Sequence, residues 1–170
     1  MDISKITAGK NPPSEVFAVV EIPMNSFIKY ELDKDSSAVF VDRFLTMAYP
    51  CNYGFIPDTL GGDGDPLDIL VHSNHQIAPG AVISVRPIGV LITEDENGSD
   101  EKIFAVPAGK IDPFFNNIST YTDLPQIFLD KVSHFFEHYK DLEKGKWVKV
   151  LGWKGVEEAH EIIKKSIVKS

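Results

Sequence analysis

The spacing of apolar residues changes once along this chain, and that change limits the fold more than any other feature of the sequence. Up to about residue 106 the apolar residues come in short β-branched and aromatic runs, at 16–22, 27–32, 38–44, 67–71, 82–85, 89–93 and 102–106. Runs of this length, bounded by Gly, Pro, Asn, Asp and Ser, read as strands. Asp33-Lys34-Asp35-Ser36-Ser37 is turn chemistry between the second and third, which predicts a hairpin. From 123 to 140 the spacing becomes helical: Phe128, Val132, Phe135, Phe136 and Tyr139 share one face. Asp123 is the expected N-cap, with Pro125 in the first turn. A further strand is predicted at 147–151, then a second helix from near Gly155. Its stripe is Val156, Ala159, Ile163 and Ile167. Glu157, Glu158 and Glu161 come early and Lys164, Lys165 and Lys169 late, as the helix dipole favours. Many short antiparallel strands followed by helices predict an α+β fold, mainly β: a small closed, OB-like β-barrel with two C-terminal helices packed outside. At 170 residues the expectation is one domain spanning 1–170, large enough to bury a core without disulfides.

Charge narrows the function. The chain has 25 acidic and 17 basic residues and a net charge of −8. A broad nucleic-acid or anionic-membrane surface needs clustered Lys and Arg, so neither partner is expected. An anionic small molecule is still compatible, because a metal ion reverses the local sign. Cys51 is the only cysteine, so no intrachain disulfide forms. The segment Met1-Asp2-Ile3-Ser4-Lys5 leads into Gly9-Lys10-Asn11-Pro12-Pro13 without an apolar stretch, unlike a signal peptide. These features lead us to expect a cytoplasmic protein.

The stretch 50–66 is rich in Gly, Pro, Asn and Asp, and a loop that long in a compact domain is commonly functional. It runs into Gly61-Gly62-Asp63-Gly64-Asp65-Pro66-Leu67-Asp68-Ile69, three carboxylates within six residues. Asp63 alone reads as a turn residue. Asp68 does not, because it enters an apolar strand. Crowded carboxylates repel and call for a positive group among them, and hard divalent cations with oxygen ligands are the natural one. Other motif readings fail. A calcium-binding EF-hand would need an oxygen ligand where Leu67 stands and Gly where Asp68 stands. An aspartyl-phosphate phosphatase carries Asp-x-Asp at the end of an apolar strand, whereas this pair follows Gly61-Gly62. None of the Gly-Lys pairs at 9–10, 109–110 and 145–146 is followed by Ser or Thr, so there is no P-loop.

Asp95-Glu96-Asn97-Gly98-Ser99-Asp100 carries an Asn-Gly hairpin signal, with Asp95 and Asp100 expected to face one another. Lys29 and Glu31 alternate on one strand face, and Arg43 lies in the next strand. Taken singly these are ordinary surface charges, and Tyr49, Tyr53 and Tyr139 are ordinary core tyrosines. They gain a common purpose only if the fold gathers them.

Together, the residues resemble the family I soluble inorganic pyrophosphatases of bacterial type. The resemblance rests on Asp63-Gly64-Asp65-Pro66-Leu67-Asp68-Ile69, with Glu21-Ile22-Pro23, Ile28-Lys29-Tyr30-Glu31, Val41-Asp42-Arg43, Tyr49-Pro50-Cys51-Asn52-Tyr53-Gly54, Arg86-Pro87-Ile88-Gly89-Val90 and the run 134–150 around it. It covers residues 16–152 in order. The stretch 44–49 is shorter than in some bacterial members, and every functional position is kept. The resemblance implies hydrolysis of pyrophosphate to two orthophosphates by direct attack of a metal-bound hydroxide, without a covalent intermediate. It implies Mg2+ as cofactor, several ions per site, with other divalent cations able to substitute. By the same resemblance Glu21, Asp63, Asp68, Asp95 and Asp100 are metal ligands and Glu31 is a supporting acid. Lys29, Arg43, Tyr53, Lys102, Tyr139 and Lys140 bind substrate. Asp65 orients and deprotonates the attacking water. A homohexamer of two trimers is implied as well, with His134 and His138 near a subunit contact. The competing readings are a single-strand-binding barrel, which −8 disfavours, and a pseudoenzyme, which should show a broken site.

Overall fold

The computed structural model describes residues 1–168. Eight strands and two helices follow in the order β1 (Val16–Ile22), β2 (Ile28–Leu32), β3 (Val39–Phe44), β4 (Asn52–Phe55), β5 (Asp68–Val71), β6 (Val82–Asp95), β7 (Gly98–Pro107), α1 (Gln126–His138), β8 (Val148–Lys154) and α2 (Val156–Ser166). Lys169, expected on the second helix, lies outside the described residues. The α+β composition and the two C-terminal helices are as expected. Among the described residues no helix is long and apolar enough to cross a membrane.

The expected closed, OB-like barrel is not what forms. Six strands make one sheet in the order β1-β4-β5-β7-β6-β8, which ends at β8 as an open edge, and β2–β3 is a separate two-stranded sheet. β1 also pairs with the first residues of β6, Val16–Val19 against Val82–Val85, so the sheet curls strongly. The reason it continues to an open edge lies in β6. The two runs read as separate strands, 82–85 and 89–93, are one long strand with a register shift between Pro87 and Gly89. Pro87 has no N–H to give a ladder, and the bulge bends the strand. Beyond it β6 leaves β1 and pairs Val90–Asp95 with β8.

Period-2 alternation buries both faces of the central strands. On β5 and β7, Ile69, Val71, Ile103 and Ala105 point into one apolar cluster, where α2 lays Ala159, Ile162 and Ile163. Leu70, Phe104 and Val106 point into the other, against Leu129, Val132, Phe135 and Phe136 of α1. This explains why β5 reads as a continuous apolar run: it is parallel to β7 and covered on both sides. The helix start also differs from expectation. Asp123 does not cap α1; its Oδ2 accepts from Ser119 and Thr120 N–H in a preceding 3-10 turn, and Pro125 is the N-cap. β4 lies inside the stretch 50–66 expected as a loop. Gly54 allows it to form, since a Cβ there would sit 1.9 Å from the Val19 carbonyl oxygen.

Candidate active site

The centre of the site is a buried lysine. Asp68 and Lys102 are register partners across the parallel β5–β7 pair. Lys102 lies on β7 with a side chain 2% exposed, and it donates to Asp68 Oδ2 at 3.0 Å, Asp100 Oδ2 at 3.0 Å and the Tyr53 hydroxyl at 2.9 Å. Burial alone would push the ammonium down, but Asp68, Tyr53 and Asp100 together hold it well above its usual value. It is therefore a fixed positive charge at neutral pH. Burial raises Asp100 despite the opposing pull of Lys102, and Asp68 raises it further. Tyr53 is held well above its usual value, first by burial and then by Asp68.

Two recesses open on either side of Asp68. One, of about 180 Å³, is lined by Glu21, Lys29, Glu31, Tyr53, Asp65 and Asp68 among others. The other is a small notch bounded by Asp63, Asp68 and Asp100. Asp68 belongs to both. Glu21 comes from β1, where its Oε2 accepts from the Leu32 N–H at 2.8 Å. Burial lifts Glu21 to about 7, with Asp68 and Glu31 adding to the rise and the Leu32 N–H and Lys34 opposing it. Too many carboxylates face this cleft for the cations within it, which is the condition that favours bound metal.

The remaining expected residues are joined by ion pairs and ring contacts. Lys29 Nζ meets Asp42 Oδ2 at 2.9 Å, and this bond, with burial opposing it, keeps Asp42 below the usual carboxylate range. Arg43 Nη1 lies 3.5 Å from Asp42 Oδ2, and Nη2 lies 2.8 Å from Glu143 Oε2. Just past α1, Lys140 reaches Asp95 Oδ2 at 3.5 Å, and Tyr139 stacks on Phe135. Asp95 and Asp100 do not face one another as expected: Asp95 pairs with Gly98 and Asp100 with Thr93, because the hairpin turns tightly at Glu96-Asn97. Asp95 is therefore drawn to Lys140 and Asp100 to Lys102. His134 and His138 lie away from this cluster, ring centroids 4.6 Å apart, with His138 Nδ1 2.8 Å from Asp141 Oδ2. Asp42 and Glu143 fall within stretches that carry the family resemblance, Val41-Asp42-Arg43 and the run 134–150, but the sequence assigns neither of them a role.

A family model described as inorganic pyrophosphatase matches residues 18–170. The chain belongs to the inorganic pyrophosphatase family. It is similar to the inorganic pyrophosphatase of Aquifex pyrophilus, 54% identical over 98% of this chain and 96% of that one. A crystal structure of an inorganic phosphatase from Anaplasma phagocytophilum is similar at TM-score 0.94 and 51% identity, covering 96% of this chain and 98% of that one. The inorganic pyrophosphatase of Thermus thermophilus superposes with TM-score 0.94 at 43% identity, covering 98% and 97%. The enzyme is thus a hydrolase acting on a phosphoric anhydride, and its reaction is the metal-dependent hydrolysis of pyrophosphate to two phosphates.

The donor set of this pyrophosphatase fits magnesium. The acidic side chains facing the two recesses, Glu21, Glu31, Asp63, Asp65, Asp68, Asp100 and Glu101, offer carboxylate oxygen, the hard ligand magnesium requires. Among the described residues no three His, Cys, Asp or Glu side chains are drawn together tightly enough to hold a metal alone. Magnesium commonly takes only one or two carboxylates and completes its shell with water and substrate phosphate.

Proposed function

We propose that Asp63, Asp68 and Asp100 hold the most strongly bound magnesium, that Asp95 with Asp100 holds one arriving with substrate, and that Glu21 holds another largely through water, with Glu31 supporting it. The cofactor is Mg2+ in several ions per site, for which other divalent cations can substitute. Bound magnesium neutralises phosphate oxygens and lowers the pKa of the attacking water. Lys29, Arg43, Lys102, Tyr139 and Lys140 bind the pyrophosphate oxygens, with Tyr53 beside Lys102. Their charge matters most as the bridging bond breaks and the leaving phosphate gains charge. Asp65 orients the attacking water and takes its proton on a carboxylate oxygen. Asp65 is exposed, and its N–H is fixed by Asp63 Oδ1 at 3.0 Å, which leaves its carboxylate at the mouth of the larger recess. Attack is direct on phosphorus, with no covalent intermediate.

The observation that carries this reading is the buried Lys102 with its two carboxylates and tyrosine between two acidic recesses. The test is phosphate release from pyrophosphate with magnesium and after exhaustive chelation. Activity should require the metal; full activity in the chelated protein would refute the assignment. The enzyme works as a homohexamer of two trimers, with His134 and His138 near a subunit contact. Supporting this, His134 lines an apolar groove with Met47, Ala48, Pro50, exposed Ile127 and Phe135. A cytoplasmic location accords with Cys51, a buried free thiol suited to a reducing compartment.

A further inference from the structure

We infer that Glu143 is a positioning residue for substrate binding, holding the Arg43 guanidinium in place and tying the β2–β3 hairpin to the turn after α1. The inference rests on the reading of Arg43 as a substrate-binding group. Arg43 lies on β3, in the separate hairpin that forms one wall of the site. Glu143 lies in the turn after α1, where its N–H donates to the Lys140 carbonyl at 2.9 Å. Lys140 and its neighbour Tyr139, proposed above as substrate-binding groups, stand at the start of that turn. The 2.8 Å contact between Arg43 Nη2 and Glu143 Oε2 therefore joins two elements that bring phosphate-binding cations from different parts of the chain.

Three details argue for positioning over an incidental surface pair. Both side chains are about three-quarters covered, at 25% and 24% exposure. The contact is one of charge without hydrogen-bond alignment: Arg43 Nε and Glu143 Oε2 are both buried without a hydrogen-bond partner. A buried guanidinium N–H left unpaired is costly unless another acceptor arrives, and a phosphate oxygen is the acceptor this site is built to receive. Finally, Glu143 Oε1 lies 3.5 Å from Lys146 Nζ, so the carboxylate is steadied from the far side. On the near side Arg43 meets Asp42 Oδ2 at 3.5 Å, and Asp42 is already engaged by Lys29 at 2.9 Å. Without Glu143, the guanidinium would keep its charge but lose its fixed place.

The test is a double-variant cycle of Glu143→Gln and Arg43→Ala in the full assembled enzyme with magnesium, reading KM and kcat for pyrophosphate separately. Thermal unfolding serves as the control for folding. Glu143→Gln keeps the shape of the side chain, so its melting should stay close to the parent. Its KM should rise about fivefold, the scale of a partly exposed ion pair, with kcat within about twofold. In the Arg43→Ala background the same change should have no further effect on KM. An unchanged KM overturns the inference. So does a fall in KM, which would make Glu143 a competitor of the substrate. An effect of undiminished size without Arg43 overturns it too. If Arg43→Ala itself leaves KM unaltered, then the substrate-binding role of Arg43 fails first, a result distinct from the other three.

Discussion

Replacing Lys102 with Met should destabilise the fold severely, and bound magnesium should repair part of the damage. The ammonium is 2% exposed and lies 3.0 Å from each of two carboxylate oxygens. At that distance each pair attracts by about 5.5 kcal/mol at an effective dielectric constant of ~20, before desolvation is set against it. Removing one member of a buried pair typically costs 3–5 kcal/mol, because the other charge is left uncompensated. Asp68 and Asp100 keep 26% and 18% of their side-chain surface, so water and protons can reach them and the lower end applies. A loss of about 3 kcal/mol in a chain of this size lowers Tm by roughly 6–12 °C. The assay is scanning calorimetry at pH 7, at matched protein concentration because the proposed assembly would add to apparent stability. Adding Asp100→Asn should recover part of the loss by removing one stranded charge, and magnesium should do the same by supplying a cation. A Tm change under about 2 °C would refute the reasoning. So would a double variant that is less stable than Lys102→Met alone.

Two further outcomes separate neighbouring roles. Asp65→Asn should lower the rate by about 10²–10⁴, the usual loss on removing a general base, with no rescue by extra magnesium, whereas Asp68→Asn should regain part of its activity as magnesium is raised. Equal rescue of both would make Asp65 another ligand. For assembly, light scattering at neutral pH should give a mass close to six chains, and a fully active monomer would contradict the hexamer.

The sequence exposed the chemistry of this enzyme more readily than its geometry. Asp68 could be read as functional because a carboxylate entering Leu67-Asp68-Ile69-Leu70-Val71 makes no sense in an apolar strand. That Lys102 is its direct partner was not readable, since the two lie on strands whose parallel pairing is settled only by the whole sheet. β4 escaped notice because Asn52-Tyr53-Gly54-Phe55 has poor strand propensity at two of four positions. Asn52 is used instead as a buried bracket, its side chain bonding the backbones of Met24, Ile77, Val71 and His75. The barrel expectation failed at Pro87, where two short runs read as separate strands turned out to be one long bent strand. The roles of Asp42 and Glu143 were invisible for a different reason. Surface acids are common, and only distance reveals which of them hold Lys29 and Arg43.

The register between β5 and β7 has a consequence for how this enzyme is made. Asp68 opposes Lys102, Ile69 opposes Ile103 and Leu70 opposes Phe104. A slip of one residue would send Ile69 and Val71 to the α1 side and Leu70 to the α2 side, exchanging side chains between two differently shaped clusters, and in the same movement take Asp68 off the lysine. An error at this seam therefore disturbs the packing and the site together. After refolding from denaturant, recovered turnover therefore counts the molecules in which these two strands met correctly, so that the reaction itself serves as a proofreading signal for the innermost pairing of the sheet.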